Sequence, residues 1–152
     1  MKARPSIVAA TFAASGGGGH LYRLGISGLA LSDLGTLRAV DWHSFNMALD
    51  GTVGFGTVPR GDELRIIDLQ SAQASSLATL SLNPSGVRAG DQPDNIGVSG
   101  DHVYVSLRMS GKLAVIDWRK QTVDYIDLAP AAQAINPANC FGCALHGVAI
   151  LH

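Results

Sequence analysis

Charged and aromatic residues are scarce in this sequence of 152 residues. Asp, Glu, Lys and Arg make up 15% of it and Phe, Trp and Tyr 6%, whereas soluble domains average about 25% charged residues. The formal net charge of −1 provides no broad electrostatic attraction to nucleic acid or to an anionic membrane, so neither is expected as a partner. Because 47% of the residues are hydrophobic, the composition also excludes an intrinsically disordered chain and a Glu- and Lys-rich coiled coil.

Long hydrophobic runs are absent as well. No stretch reaches the roughly 18 apolar residues that a membrane-spanning helix requires. Residues 6–14 form a shorter apolar run that follows Lys2 and Arg4. This run fits either a short secretory signal or a buried strand that leads into a glycine turn. The localisation, periplasmic or secreted in the first case and cytoplasmic in the second, is left open.

An internal repeat is the most informative feature of the sequence. Residues 61–82 and 110–128 share a small turn, an apolar run that ends in Ile-Asp, a polar turn and a second alternating segment. Asp68 and Asp117 take the same position in the two copies. The distance between these two aspartates along the chain is the period of the repeat, and it falls in the range of about 40–50 residues that is typical of propeller blades.

Each copy of the repeat predicts four antiparallel strands. Upstream of these segments, residues 45–58 correspond to residues 95–108, and β-branched and aromatic residues alternate between Gly, Asp and Asn turns. We therefore predict an all-β fold, a partial β-propeller of about three four-stranded antiparallel blades within one domain, residues 1–152. A sandwich of the jelly-roll or immunoglobulin kind is the alternative. The predicted parts are an incomplete blade that lacks its first strand (residues 7–40), two blades (43–82 and 93–128), a loop insertion (129–145) and the first strand of a further blade (146–152).

Residues 93–126 resemble the YVTN-type propeller repeat. In that repeat a proline opens the innermost strand, a small turn leads to a VYV strand, and the third strand ends in V-I-D; here these are Pro93, residues 103–105 and residues 115–117. The resemblance implies a segment of a seven-bladed propeller related to surface-layer, lactonase and cytochrome d1 propellers. Three blades leave two open flanks, so the expected partners are the remaining blades of a longer propeller or a second copy of the chain.

Polar residues stand where the innermost strands of the predicted blades begin. In a propeller these positions converge on one face around the central channel, where a small ligand or a protein can bind. Imidazole, carboxylate and amide groups there can also bind a divalent metal or transfer protons. The alternative is that these side chains only cap strands and hydrogen-bond to loops. The candidate ligand-binding residues are His43, Asp94, Asn95 and His146.

Only two cysteines occur, and they lie close together in the predicted loop insertion. Cys140 and Cys143 can form a disulfide, bind a divalent metal together with His146 and also His152, or act as a redox dithiol. Covalent haem attachment is excluded because Ala144 stands where a histidine is needed. We infer either a propeller binding scaffold or, alternatively, a metal-assisted lactonase-like hydrolase or a redox enzyme like the cytochrome d1 propellers.

Two further motifs are weaker. Residues 16–19 are all glycine, but no Gly-Lys-Ser/Thr follows, so a phosphate-binding loop is not predicted. Residues 60–62 read Arg-Gly-Asp, the sequence of an adhesion tripeptide, but a match of three residues often arises by chance.

Trp42 and Trp118 are expected to pack between blades, since large aromatic side chains bury much apolar area.

Overall fold

The computed structural model describes residues 6–11, 19–25, 30–37, 43–48, 51–70, 75–87, 90–135 and 148–150, with side chains from residue 43 onward except at Ile135. Its eleven described strands form three antiparallel sheets, in each of which the spatial order follows the chain order. The first sheet contains β1 (Ser6–Thr11), β2 (Gly19–Gly25) and β3 (Ala30–Leu37). The second contains β4 (Phe45–Met47), β5 (Val53–Val58), β6 (Glu63–Asp68) and β7 (Ser75–Ser81). The third contains β8 (Pro93–Ser99), β9 (His102–Leu107), β10 (Lys112–Asp117) and β11 (Thr122–Asp127).

The second and third sheets are two copies of one unit. Asp68 ends β6 and is paired with Val53, and Asp117 ends β10 and is paired with His102. Each aspartate caps the turn that follows it: Asp68 Oδ1 accepts a hydrogen bond from the Gln70 N–H at 2.8 Å, and Asp117 Oδ1 accepts one from the Lys120 N–H at 3.0 Å. The predicted equivalence of the two aspartates is confirmed.

The predicted correspondence of residues 45–58 with residues 95–108 is wrong by one residue in both strands, in opposite directions, since it pairs Phe45 with Asn95 and Gly56 with Ser106. β4 pairs Phe45 with Gly56, and β8 pairs Ile96 with Val105. Gly56 and Val105 are equivalent because each lies opposite the residue three positions before its capping aspartate. Ile96, and not Asn95, therefore matches Phe45. The shift arises because residues 48–52 join β4 to β5, whereas only residues 100 and 101 join β8 to β9.

The hydrophobic core lies between the second and third sheets. Phe55, Leu64 and Ile66 of the second sheet are almost completely buried, and the third sheet covers them with aliphatic side chains. Each fully buried residue of this size contributes about 1.5–3 kcal/mol to folding. Trp118 packs edge-on against Phe55, with ring centroids 5.8 Å apart, which confirms its predicted place between the sheets; Trp42 lies outside the described residues. The covering residues of the third sheet are Ile96, Val103, Val105, Leu107, Ala114 and Ile116.

Helical structure is limited in the described ranges to α1 (Ala129–Ile135) and one 3₁₀ turn at Pro59–Gly61. α1 lies within the segment predicted as a loop insertion, where the Asp127 carboxylate accepts a hydrogen bond from the Ala129 N–H at 3.0 Å. No helix in the described part of the chain is long and apolar enough to cross a membrane.

Candidate functional site

The candidate site lies where β4 and β8 begin, at the same edge of two neighbouring sheets. The His43 N–H donates to the Thr57 carbonyl and the Thr57 N–H to the Ser44 carbonyl, both at 3.0 Å, which fixes His43 beside β5. β8 packs beside β4 and β5. Across this boundary the Asn46 side-chain amide donates to the Ile96 carbonyl at 3.0 Å. The two sheets therefore hold His43 and Asp94 in fixed relative positions.

His43 and Asp94 are in direct contact. His43 Nδ1 lies 2.5 Å from Asp94 Oδ1. The histidine side chain is 57% exposed and the aspartate side chain 4%. A carboxylate oxygen at this distance favours a proton on Nδ1, because two lone pairs would repel each other. Among the described residues the ring contact is made through Nδ1 alone, which leaves Nε2 available on a side chain that reaches solvent.

Thr57 joins the backbone on both sides of this contact. Its Oγ1, fully buried, accepts a hydrogen bond from the Ser44 N–H at 3.0 Å and donates one to the Asp94 carbonyl at 2.9 Å. Ser106 is the equivalent residue of the third sheet, and its Oγ accepts a hydrogen bond from the Asn95 N–H at 3.0 Å. The sequence analysis did not identify Thr57. A hydroxyl at the same position in both copies of the repeat was the available signal.

A buried carboxylate holds the segment that leads into Asp94. Asp62 is fully buried and has a left-handed backbone with φ of 50°. Its two carboxylate oxygens accept hydrogen bonds from the backbone N–H groups of Gly90 at 3.2 Å, Asp91 at 3.3 Å and Gln92 at 2.9 Å. Because this carboxylate faces the interior, the Arg-Gly-Asp tripeptide does not present the acidic group that an adhesion motif requires. Sequence reasoning gave Asp62 no role at the site.

The other predicted site residues have different outcomes. Asn95 contributes through its backbone N–H, as described above. His146, Cys140 and Cys143 lie outside the described residues, so their predicted ligand, metal and disulfide roles remain predictions. Among the residues that the structure describes, no group of three or more His, Cys, Asp or Glu side chains is placed to hold a metal ion.

Comparison with known proteins gives similarity in structure but not in sequence. No family model matches the chain, and no curated protein sequence does. Hydrazine synthase of Kuenenia stuttgartiensis is 18% identical with a TM-score of 0.55, over 69% of this chain and 28% of that one. A putative 6-phosphogluconolactonase from Bacteroides fragilis NCTC 9343 is 11% identical with a TM-score of 0.60, over 80% and 35%. Streptogramin B lyase is 14% identical with a TM-score of 0.55, over 72% and 34%.

These similar structures define the class of fold. They are β-propeller-like proteins, and the chain is an all-β partial β-propeller in which the second and third sheets are successive blades. The chain spans less than half the length of each of the three structures. At these identities the similarity concerns the fold alone. Membership of the YVTN repeat family remains a prediction.

Proposed function

We propose that the chain is a propeller binding scaffold that holds a small polar ligand at the channel face through His43. The observation that carries the proposal is the contact between an exposed imidazole and a buried carboxylate supplied by the next blade. His43 and Asp94 precede Ser44 and Asn95, whose N–H groups donate to equivalent hydroxyls in the two blades. The pair therefore occupies equivalent positions of successive blades, which converge on the axis of a propeller.

The chemistry of the pair favours a ligand with polar oxygen atoms. Asp94 fixes the ring through Nδ1, so Nε2 can accept a hydrogen bond from a hydroxyl group, or donate one to a carboxylate when the ring is protonated. Holding the ring in one orientation lowers the conformational entropy that binding would otherwise cost. Sugar acids contain both hydroxyl and carboxylate groups. Two of the structures with this fold are putative 6-phosphogluconolactonases, which supports D-gluconate as the first probe.

Binding can be tested by titrating D-gluconate into the 152-residue chain with ¹³C-labelled histidine. We expect the ring resonances of His43 to shift and saturate, and calorimetric binding to be lost in His43→Ala. His102→Ala is the matched control, since His102 is an exposed histidine at the start of β9, away from the edge where β8 begins. Unshifted His43 resonances, or equal affinity in His43→Ala and the wild type, would contradict the proposal.

Lactone hydrolysis is the second candidate, because a histidine held by a carboxylate is also suited to general-base catalysis. His43 Nε2 would take a proton from water while the water oxygen attacks the lactone carbonyl carbon. The ring C–O bond then breaks, and the leaving alkoxide receives the proton back from Nε2. The open-chain acid is the product, and no oxidant or cofactor is consumed.

The two functions are separated by measuring hydrolysis of D-glucono-δ-lactone with a pH-stat, above the spontaneous rate. The catalytic hypothesis predicts a rate that falls about 10²-fold or more in His43→Ala and stays unchanged in His102→Ala. If gluconate binds and lactone hydrolysis is not accelerated, the scaffold function is supported and the catalytic hypothesis is contradicted. A metal-binding role for Cys140, Cys143 and His146 is tested separately, by zinc analysis of the purified chain and of His146→Ala, and a dithiol role of the two cysteines by titration of free thiols before and after reduction.

A further inference from the structure

The third sheet has a second apolar face, opposite the face that packs on the second sheet. Side chains alternate between the two faces of a strand, and Val103 and Val105 of β9 belong to the core. Tyr104 and Ser106 therefore lie on the opposite face. Their cross-strand neighbours are Val115 and Leu113 of β10, and Ile126 of β11 lies opposite Leu113. Ser106 is fully buried, and we call the four apolar residues on this face the outer face: Tyr104, Leu113, Val115 and Ile126.

The repeat shows what the outer face is built to contact. Three of its residues, Tyr104, Leu113 and Val115, are equivalent to Phe55, Leu64 and Ile66 of the second sheet. Those three are no more than 1% exposed, because the third sheet covers them. Their counterparts are partly exposed, and Ile126 is 48% exposed. The outer face thus continues an established blade-to-blade interface without the cover that its equivalent has.

Residues 148–150 occupy part of the outer face. A Cβ atom added to Gly97 of β8 would lie 2.9 Å from Val148 Cγ1 and 3.1 Å from Ile150 Cδ1. Gly97 is opposite Tyr104, so these two side chains lie beside the innermost strand of the third sheet. β8 has the same position relative to the second sheet, where it packs beside β4 and β5. Residues 148–150 are therefore placed as the innermost strand of a following blade would be.

Within the described ranges, the first sheet has no innermost strand of the kind that residues 148–150 would supply. In the second and third sheets, β5 and β9 each pair with an innermost strand as well as with the next strand. β1, the corresponding strand of the three-stranded sheet, pairs in the described ranges with β2 alone. No described strand pairs with its other edge, and the backbone N–H and C=O groups along such an edge favour the addition of a strand.

We propose that the outer face binds a second copy of this chain. The first sheet of the second copy packs on Tyr104, Leu113, Val115 and Ile126, and residues 148–150 add to the free edge of its β1. Both halves of the junction are present on one chain, so two copies related by a two-fold axis form two identical junctions and close a ring.

The test is the mass of the 152-residue chain by size-exclusion chromatography with light scattering. We expect twice the 15.8 kDa of one chain in the wild type. Val115→Lys should weaken association about tenfold or more, because it places an ammonium group in an apolar junction. Val87→Lys is the matched control, since Val87 is 62% exposed in the loop before β8. Circular dichroism checks that each variant is folded.

A second variant tests strand addition. Ala149 is exposed, and Ala149→Pro places a residue without a backbone N–H in the added strand, so this variant should also associate more weakly than the wild type. A monomeric wild type overturns the proposal, and so does a dimer whose dissociation constant is unchanged in Val115→Lys or Ala149→Pro. A mass well above two chains rules out the closed ring. None of these outcomes depends on ligand binding at His43.

Discussion

Replacing Asp62 removes the buried carboxylate that holds the segment before Asp94, and its effect can be worked out from the structure. Gly111 is the equivalent residue of the third sheet: the Leu82 N–H donates to the Asp62 carbonyl and the Leu128 N–H to the Gly111 carbonyl. Both residues have positive φ, 50° at Asp62 and 66° at Gly111. Asp62→Gly therefore keeps the turn and deletes only the carboxylate. Asp62→Ala would add backbone strain to the same loss.

The carboxylate of Asp62 accepts three backbone hydrogen bonds. A hydrogen bond to a charged group contributes about 1.5–3 kcal/mol, and water will recover part of that at Gly90 and Gln92, which are only partly buried. We expect Asp62→Gly to lower the free energy of unfolding by about 3–5 kcal/mol. Asp62→Asn should lower it by about 1–2 kcal/mol, since a neutral amide oxygen still accepts a hydrogen bond.

The assay is urea denaturation followed by tryptophan fluorescence, because Trp118 packs on Phe55 in the core. Glu63→Gln is the control: it removes one negative charge from the next residue, where the carboxylate pairs with Arg65 at 3.3 Å near the surface, and should change stability by no more than about 1 kcal/mol. If Asp62→Gly is as stable as Glu63→Gln, the three hydrogen bonds do not hold the segment and the reasoning is refuted.

Two further changes test the hydrogen bonds and charges of the blades. Thr57→Val removes both hydrogen bonds of a buried hydroxyl at nearly constant volume, so urea denaturation should show a loss of about 1–3 kcal/mol; an unchanged midpoint would contradict this. The Lys120 ammonium, 2.7 Å from Asp117 Oδ2, lowers the pKa of that carboxyl chiefly by hydrogen bonding. Its stabilising effect is therefore present above the ordinary carboxyl pKa and is lost as the pH falls through the lowered value. In an NMR titration Lys120→Ala should raise the pKa of Asp117, and an unchanged value would show that the pair does not form in solution.

The sequence predicted those parts of the fold that depend on local patterns. Alternating strands, the turns between them and the equivalence of Asp68 and Asp117 follow from side chains that act within a few residues of themselves, as their capping hydrogen bonds do. The position of Trp118 between the sheets was predictable because a large aromatic side chain in a repeat unit needs a neighbouring unit to cover it.

Features that depend on the packing of one sheet against another were not predictable in the same way. Turns of unequal length shifted the innermost strands by one residue, and only the strand pairing reveals that Ile96 matches Phe45. The sequence placed His43 and Asp94 at the starts of innermost strands but did not predict their contact. Asp62 was missed because its partners lie about 30 positions further along the chain, a distance at which single-sequence patterns carry no information.

The tautomer of the neutral His43 ring is the most direct test of the central claim, that two successive blades bring an exposed histidine onto a buried aspartate. Ring ¹⁵N chemical shifts identify which nitrogen of the neutral ring carries the proton. We predict a proton on Nδ1 in the wild type, and a change in this preference in Asp94→Asn, whose amide removes the carboxylate. A proton on Nε2 in the wild type, with ring shifts unaffected by Asp94→Asn, would contradict the account.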